Sequence, residues 1–236
     1  MTAQPATAIV AGVGAGLGKA LCRRLADAGY RVAGLARGTA ASGDLIAELG
    51  PERFQAVSCD ITDASQVDAA IGQVEAQWGS ASVYVHNAAP FYMGAFAQTD
   101  PSTFESLWRT TCLGAVHGAQ RVLPGMLQAQ RGVLLFIGAT ASVKAGASFS
   151  AFGAAKFALR GLAQSLAREL GPQGIHVAHL IIDGVIWSER ARDALGLPQG
   201  QCLDPDALAR TCLHLIGQDR SAWTQELDMR PDVEGF

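Results

Sequence analysis

The stretch that decides the fold is Thr7–Gly18, which reads TAIVAGVGAGLG. Its first five residues are mostly apolar and rich in β-branched side chains, which predicts a buried strand. Every second residue from position 12 to 18 is glycine, and Leu17, Leu21 and Leu25 then recur with a helical spacing. A glycine loop between a strand and a helix predicts a dinucleotide site, because glycine lets the backbone approach a pyrophosphate and the amino end of a helix favours its charge. Since tight turns also collect glycine, the prediction depends on the position of the loop.

The alternation of strand and helix continues along the chain. Further strands are predicted at Arg31–Leu35, Phe54–Ser58, Ser82–His86, Val133–Ile137 and Ile175–Ile182. Helix limits are predicted at Gly29, at Ser42 before Asp44–Leu49, at Trp78-Gly79, at Asp100-Pro101, at Phe152 and Leu170, and at Asp204-Pro205 and Ile216. These patterns predict one α/β domain over residues 1–236, a Rossmann-type doubly wound parallel sheet with helices on both faces. Ligands are expected beyond the carboxyl ends of the strands.

The composition argues against several function classes. Of 236 residues, 49% are hydrophobic and 17% charged, which is typical of a globular chain. The net charge of −3 and the lack of a Lys/Arg cluster argue against nucleic acid as a partner. Residues 1–18 lack the basic start of an export signal, and the uncharged stretch 79–99 is too polar to insert into lipid. The five scattered cysteines and the spacing of the histidines predict free thiols, no metal and a cytoplasmic location.

The end of the second strand, Leu35-Ala36-Arg37, bears on the choice of coenzyme. An acidic residue at this point would bind a ribose 2′-hydroxyl and favour NAD(H). Arg37 supplies a guanidinium instead, which suits a 2′-phosphate. The sequence therefore favours NADP(H) over NAD(H), although Arg37 alone is also compatible with a solvated surface charge.

With these motifs in this order, the chain resembles the short-chain dehydrogenase/reductase family over almost its whole length. The matching segments are Ala11-Gly12 with Gly16-Leu17-Gly18, Cys59-Asp60-Ile61, His86-Asn87-Ala88-Ala89, Phe152–Lys156 and Asp183–Ser188. The resemblance implies seven strands in the order 3-2-1-4-5-6-7, and a homodimer or homotetramer formed through long helices in which small residues such as Gly114, Gly118 and Gly153 allow close approach. It implies coenzyme contacts at Gly12, Gly14, Gly16, Leu17, Gly18, Arg37, Asp60, Ile61, Asn87, Ala88, Lys156, Gly184 and Ser188.

The sequence departs from the family at the catalytic positions. In standard members a Tyr phenol acidified by a Lys gives the proton, a Ser holds the carbonyl, and an Asn supports a water relay. Here these positions hold Phe152, Ala139 and Thr111, and only Lys156 is kept. Phe and Ala have no group for acid–base work. The chain resembles an atypical subgroup with Phe in place of Tyr, and because the family's Lys also holds the nicotinamide ribose, Lys156 does not by itself indicate catalysis.

Asp183 stands where the family has a Pro beside the nicotinamide. Burial in apolar surroundings would raise the pKa of this carboxyl and make it a proton donor. The alternative is that Asp183 only caps a local turn. Lys156 and Asp183 are therefore the candidate catalytic residues.

Two functions remain open on the sequence. The first is an NADP(H)-dependent oxidoreductase that transfers hydride to or from a small molecule, such as a preformed iminium or an activated alkene, by a route without the Tyr. The second is a catalytically silent coenzyme-binding sensor or partner subunit. Phe91, Tyr92, Met93, Phe149 and Trp187 lie in segments that line the substrate pocket of relatives and favour an apolar substrate, although such residues also serve packing.

Overall fold

The computed structural model describes residues 5–39 and 42–233 and contains a single seven-stranded parallel sheet. The strands are β1 Thr7–Ala11, β2 Arg31–Ala36, β3 Phe54–Ser58, β4 Ala81–His86, β5 Gly132–Ile137, β6 Ile175–Ile182 and β7 Glu226–Met229. Their order across the sheet is β3-β2-β1-β4-β5-β6-β7, which confirms the predicted topology. Six of these strands match the predicted runs to within one residue at each end.

Eight α-helices connect the strands within the described residues. They are α1 Leu17–Asp27, α2 Gly43–Leu49, α3 Ala64–Trp78, α4 Pro101–Trp108, α5 Gly114–Ala129, α6 Ser150–Leu170, α7 Glu189–Leu195 and α8 Pro205–Ile216. A π-helical turn at Arg109–Leu113 joins α4 to α5, so the long helix predicted after Asp100 is continuous but locally widened. Among the described residues, no helix is both long and apolar enough to cross a bilayer.

The helix ends follow the local chemistry of the sequence in most places. The carboxylates of Asp100 and Asp204 accept backbone N–H groups in the first turns of α4 and α8, as predicted. Ser42 precedes α2, but its side chain makes no capping hydrogen bond. Asp63 caps α3 with two backbone N–H groups, a cap that sequence analysis did not identify.

The sheet separates two apolar layers. On one side, α1 and α8 pack with Val10, Val32 and Leu180 of the strands. On the other, α3, α5 and α6 pack with Ile9, Tyr84 and other inward side chains of the sheet. Because both faces are covered, strands such as β6 are buried along their whole length. This burial explains why continuous apolar runs predicted the central strands.

Strand β7 was not predicted from the sequence. It reads ELDM, is only partly buried and pairs with β6 alone. A short edge strand of this kind has neither an apolar run nor an alternating pattern to identify it. Its position matters because it brings the residues that follow it to the carboxyl edge of β6.

Three of the small residues on α5 and α6 make close contacts within the chain. A Cβ at Gly114 would lie 2.9 Å from a methyl carbon of Ile61, and one at Gly118 would lie 1.9 Å from the Tyr84 hydroxyl. A Cβ at Gly153 would lie 2.7 Å from that of Ala145. These three glycines therefore allow close packing within the chain. The approach between subunits along these helices stays a prediction.

Candidate active site

The glycine loop is held where the carboxyl ends of β1, β2 and β4 meet. Gly12 has a φ of +93°, and its N–H donates to the Leu35 carbonyl at 2.8 Å. The Asn87 side chain donates to the Gly12 carbonyl at 2.7 Å. A Cβ at Gly12 would lie 2.5 Å from the backbone nitrogen of Ala88. Position 12 therefore requires glycine both for its dihedral angle and for the approach of β4.

The other glycines of the loop differ in what they permit. A Cβ at Gly18 would lie 2.4 Å from the Gly12 carbonyl, so this glycine lets α1 pack close to the end of β1. A Cβ at Gly14 would meet nothing within 4 Å. Gly16 precedes α1, whose amino end has no side-chain cap and no acidic residue in its first turn. The loop thus leaves an open surface with backbone N–H groups, an arrangement suited to an anion.

Arg37 and Asp60 follow the ends of the neighbouring strands β2 and β3. Arg37 is exposed, and no carboxylate in the described part of the chain lies within ion-pair distance of it. One oxygen of Asp60 accepts the Thr62 N–H at 2.9 Å and its hydroxyl at 2.8 Å. These hydrogen bonds and the Arg37 charge lower the pKa of the Asp60 carboxyl. A cation and an ionised carboxylate therefore lie side by side at this edge.

The position of the missing phenol is filled by an aromatic cluster. Phe152 is buried on α6, and its ring centroid lies 5.5 Å from that of Phe91, edge to face. Phe91 makes a similar contact with Phe149 at 5.9 Å and is itself 67% exposed. The Tyr92 hydroxyl is bonded to Thr99 at 3.2 Å, so it is not directed at this cluster as a free donor. The segment around Phe91 therefore presents a largely apolar surface beside Phe152.

Lys156 lies one helical turn after Phe152, as expected. Its Nζ donates to the Ile137 carbonyl at 2.8 Å and lies 5.7 Å from the centroid of the Phe152 ring. The side chain is buried, and burial lowers the pKa of Lys156 to about 7. Thr111, in the π-helical turn, is buried, and within the described chain its hydroxyl has no hydrogen-bond partner. No phenol or carboxyl group is hydrogen-bonded to Lys156 in the described residues.

The surroundings of Asp183 differ from the apolar setting that the sequence suggested. One carboxylate oxygen accepts the Thr140 hydroxyl, and the other lies 3.3 Å from a guanidinium nitrogen of Arg230. The backbone N–H of Asp183 donates to the Met229 carbonyl at 2.8 Å. Both side-chain partners are donors, so Asp183 is arranged as an acceptor, and the expectation of apolar surroundings is wrong.

Neither partner of Asp183 was identified from the sequence. Arg230 follows β7, the strand that the sequence did not predict, and the register pairs Ile182 with Met229 immediately before the two charged residues. Thr140 belongs to no motif of the family. It directly follows Ala139, which occupies the position of the expected Ser. That adjacency was the one signal in the sequence that a hydroxyl remained in this place.

The loop after β6 extends from the Asp183 side toward the glycine loop. Gly184 has a φ of +141°, and Ser188 caps α7 by accepting the Ala191 N–H at 3.1 Å. A Cβ at Gly16 would lie 3.7 Å from a methyl carbon of Ile186. Gly184 and Ser188 are therefore on the same edge of the sheet as the glycine loop, as the coenzyme assignment requires.

The buried histidines have structural partners. His86 contacts the Tyr84 hydroxyl at 3.2 Å, and burial, with a smaller effect of Lys156, lowers the pKa of His86 to about 3. His179 contacts Glu226 at 3.1 Å, and burial lowers its pKa to about 4. The described residues contain no group of three His, Cys, Asp or Glu side chains arranged to hold a metal ion.

Comparison of the chain with known proteins found a matching family model and similar curated proteins. The model of the family described as short chain dehydrogenase matches residues 6–193. The 3-oxoacyl-[acyl-carrier-protein] reductase MabA of Mycobacterium bovis is 30% identical over 184 residues, which cover 78% of this chain and 70% of MabA.

Two solved structures show the same fold. A short-chain dehydrogenase from Rhodopseudomonas palustris is 32% identical and has a TM-score of 0.81, with 95% of this chain and 98% of that chain covered. A metagenomic short-chain oxidoreductase in complex with NADP is 24% identical and has a TM-score of 0.84, with 98% and 99% covered, a likeness that concerns the fold alone. A match of this extent, on a sheet with this strand order, means that the chain belongs to the short-chain dehydrogenase/reductase family.

Proposed function

We propose that this chain is an NADP(H)-binding oxidoreductase that acts on an apolar small molecule by a route independent of a Tyr. The observation that carries the proposal is a contrast within one cleft. The coenzyme loop is intact in its backbone, whereas the positions of the proton donor and carbonyl anchor hold Phe152 and Ala139. A site that keeps the means to bind a hydride carrier but has lost the family's donors suits a substrate that needs no phenol.

The residues fit a dinucleotide. The open backbone at Gly14 and the uncapped amino end of α1 after Gly16 suit a pyrophosphate. The exposed guanidinium of Arg37 suits a 2′-phosphate. The end of β2 carries no acidic residue of the kind that would bind a ribose 2′-hydroxyl and favour NAD(H). The second oxygen of Asp60 is available to an adenine amino group, and Lys156 to ribose hydroxyls. NADP(H) is therefore the proposed coenzyme; it supplies or accepts the hydride when bound.

The chain's own groups limit the chemistry further. Phe152, Phe91 and Phe149 exclude water and contact an apolar body. Lys156 holds the ribose side of the cleft through a buried amine and is the proposed catalytic residue. Asp183 enters the proposal as a hydrogen-bond acceptor rather than as the proton donor first expected.

A binding titration paired with a turnover screen tests this function. NADPH and NADH are titrated calorimetrically, and NADPH consumption is followed with matched ketones, aldehydes, imines and enones. We expect tighter binding of NADPH, consumption with imines or enones, and very slow reaction with ketones. Failure to bind either coenzyme would refute the proposal, and tight binding without turnover of any substrate would favour the silent sensor or partner subunit.

We also propose a homodimer or homotetramer formed by α4, α5 and α6. Trp108 on α4 and Phe157 on α6 are large apolar side chains that are each 43% exposed, and a subunit contact over these helices would cover them. Light scattering at micromolar concentration should give a multiple of the 24.6 kDa chain mass. A monomer mass would contradict the assembly without bearing on the coenzyme.

A further inference from the structure

The carboxyl edge of β5, β6 and β7 carries a polar cluster that the family motifs do not explain. It consists of Thr140, Asp183, Arg230 and Asp228. The register of β6 against β7 ends with Ile182 opposite Met229, the next residues Asp183 and Arg230 form an ion pair, and Arg230 also pairs with Asp228. Thr140 comes from the segment after β5 and reaches the same carboxylate. Three strand ends therefore converge on one buried acid.

The direction of the hydrogen bonds within this cluster is determined by the charges. Asp183 is 4% exposed and faces a guanidinium at 3.3 Å, so its oxygens act as acceptors. The Thr140 hydroxyl must then give its proton to Asp183. Its oxygen keeps lone pairs free, and Thr140 is the partly exposed member of the pair. The free hydrogen-bonding sites of the Thr140 oxygen are consequently acceptors.

This polarity is the reverse of the one that a ketone needs. A carbonyl oxygen gains negative charge when hydride is added and requires donors, which Phe152 and Ala139 do not provide. A protonated imine carries an N–H donor and a positive charge. The donor suits the Thr140 oxygen, and the charge suits the Asp183 carboxylate to which Thr140 is hydrogen-bonded. The Phe152 and Phe91 rings are compatible with a cation. Lys156 opposes it only in part, since burial lowers its pKa to about 7.

We propose that Thr140, positioned by Asp183 and Arg230, accepts a hydrogen bond from the substrate, and that the substrate is a protonated imine with an apolar body. This proposal rests on the oxidoreductase function and names its substrate class. Addition of hydride, with reduced nicotinamide as the reductant, to the carbon of C=N–H⁺ forms the new C–H bond. The π pair moves to nitrogen, which becomes a neutral amine with its N–H retained. No proton has to be supplied, and the missing phenol is not required.

The probes separate charge from hydrogen bonding. The protein with NADP⁺ is titrated calorimetrically with tetrahydroisoquinolinium, which has N–H donors, and with its N,N-dimethyl analogue, which has the charge alone. We expect the N–H compound to bind about tenfold more tightly, a ratio of the size that one charge-assisted hydrogen bond supports. The same titration without NADP⁺ measures the acceptor independently of the coenzyme.

Variants assign the effect to Thr140. Thr140→Val keeps the shape and removes the hydroxyl, so the tenfold ratio should fall to near one, and Thr140→Ser should restore it. Asp183→Asn should weaken the binding of both cationic probes, because it removes the negative charge behind Thr140. Thr211→Val on α8, whose hydroxyl donates to the Ala207 carbonyl, is the matched control and should leave the ratio unchanged.

Turnover provides the second arm. With NADPH, 3,4-dihydroisoquinoline should be reduced at least a hundredfold faster than the ketone 1-tetralone. A ratio unaffected by Thr140→Val, or faster reduction of the ketone, would overturn the inference while leaving coenzyme binding intact. If the protein binds neither coenzyme but still prefers the N–H probe, the proposed function is refuted and the role of Thr140 as a hydrogen-bond acceptor is supported.

Discussion

The two halves of the cleft differ in which part of the chain carries their chemistry. In the coenzyme half, at the ends of β1, β2 and β4, the important contacts involve backbone: Gly12 with Leu35, and Asn87 with Gly12. In the catalytic half, at the ends of β5, β6 and β7, the important groups are side chains such as Lys156 and Asp183. A backbone site resists change because its glycines are required by geometry, whereas a side-chain site can be converted by a few substitutions that leave the fold intact.

The largest expected effect comes from restoring the side chains of the catalytic half. Phe152→Tyr with Ala139→Ser would return the phenol and the carbonyl anchor beside the existing Lys156. General acid catalysis contributes about 10²–10⁴-fold, or roughly 3–5 kcal/mol of barrier, so ketone reduction with NADPH should rise by that order. Each single variant should gain much less, because the groups act together. Initial rates of NADPH oxidation check this, and no gain in the double variant would show that the two halves do not form one active site.

A second large effect is the pH dependence of stability caused by Lys156. The pKa of Lys156 is about 7 in the folded protein and 10.5 for an ordinary lysine, the value taken for the unfolded chain. Between these pH values the unfolded chain therefore binds more protons than the folded protein. Stability should therefore rise with pH through this window, by about 1.4 kcal/mol per pH unit at most. Lys156→Met removes this dependence. Urea unfolding should show that the free energy of unfolding of the variant, relative to that of wild type, falls by about 3 kcal/mol between pH 6.5 and pH 9.5.

Lys144→Met is the control for this experiment, because Lys144 is exposed on a loop. It should leave the pH dependence as it is in wild type. Parallel stability curves for wild type and Lys156→Met would mean that the buried amine is not the group responsible.

The backbone character of the coenzyme half is tested by two glycines with the same dihedral angle. Gly12 has a φ of +93° and Gly29 a φ of +91°, but a Cβ at Gly29 would meet nothing within 4 Å. Gly29→Ala should cost about 1–2 kcal/mol for the dihedral angle alone. Gly12→Ala should cost about 1–3 kcal/mol more, because it also overpacks against Ala88, and should abolish coenzyme binding. Chemical denaturation measures both; equal costs would contradict the close approach of β4.

The smallest effect on the fold is expected from a change to Arg37, an exposed side chain of the coenzyme half. Arg37→Asp removes a charge-assisted hydrogen bond to the 2′-phosphate and adds repulsion, each of order 1–3 kcal/mol, so the preference for NADPH over NADH should invert. Arg131→Asp, at the opposite edge of the sheet, makes the same charge change and should leave the ratio of dissociation constants unaltered. Equal affinities for both coenzymes in wild type would contradict the assignment of Arg37.

The features of this chain that its sequence predicts best are those that depend on residues adjacent in the chain. The runs of β1 and β6 and the loop between β1 and α1 have local patterns, and the structure places them as predicted. Strand β7 has no such pattern, because a short edge strand is stabilised by pairing with β6 rather than by its own composition. The packing of Gly114 and Gly118 was not predicted for the same reason: they lie against Ile61 and Tyr84, which are distant in the chain.

The sequence by itself determined the α/β class, the glycine loop and the loss of the phenol, because periodicity, glycine content and residue identity are properties of short segments. The strand order was predicted through the family resemblance. Only the tertiary structure decided that Asp183 faces Thr140 and Arg230 and that Lys156 has no acidic hydrogen-bond partner within the described residues. The charge and hydrogen-bonding role of a buried group depend on the groups that distant strands bring to it, and on the water they exclude.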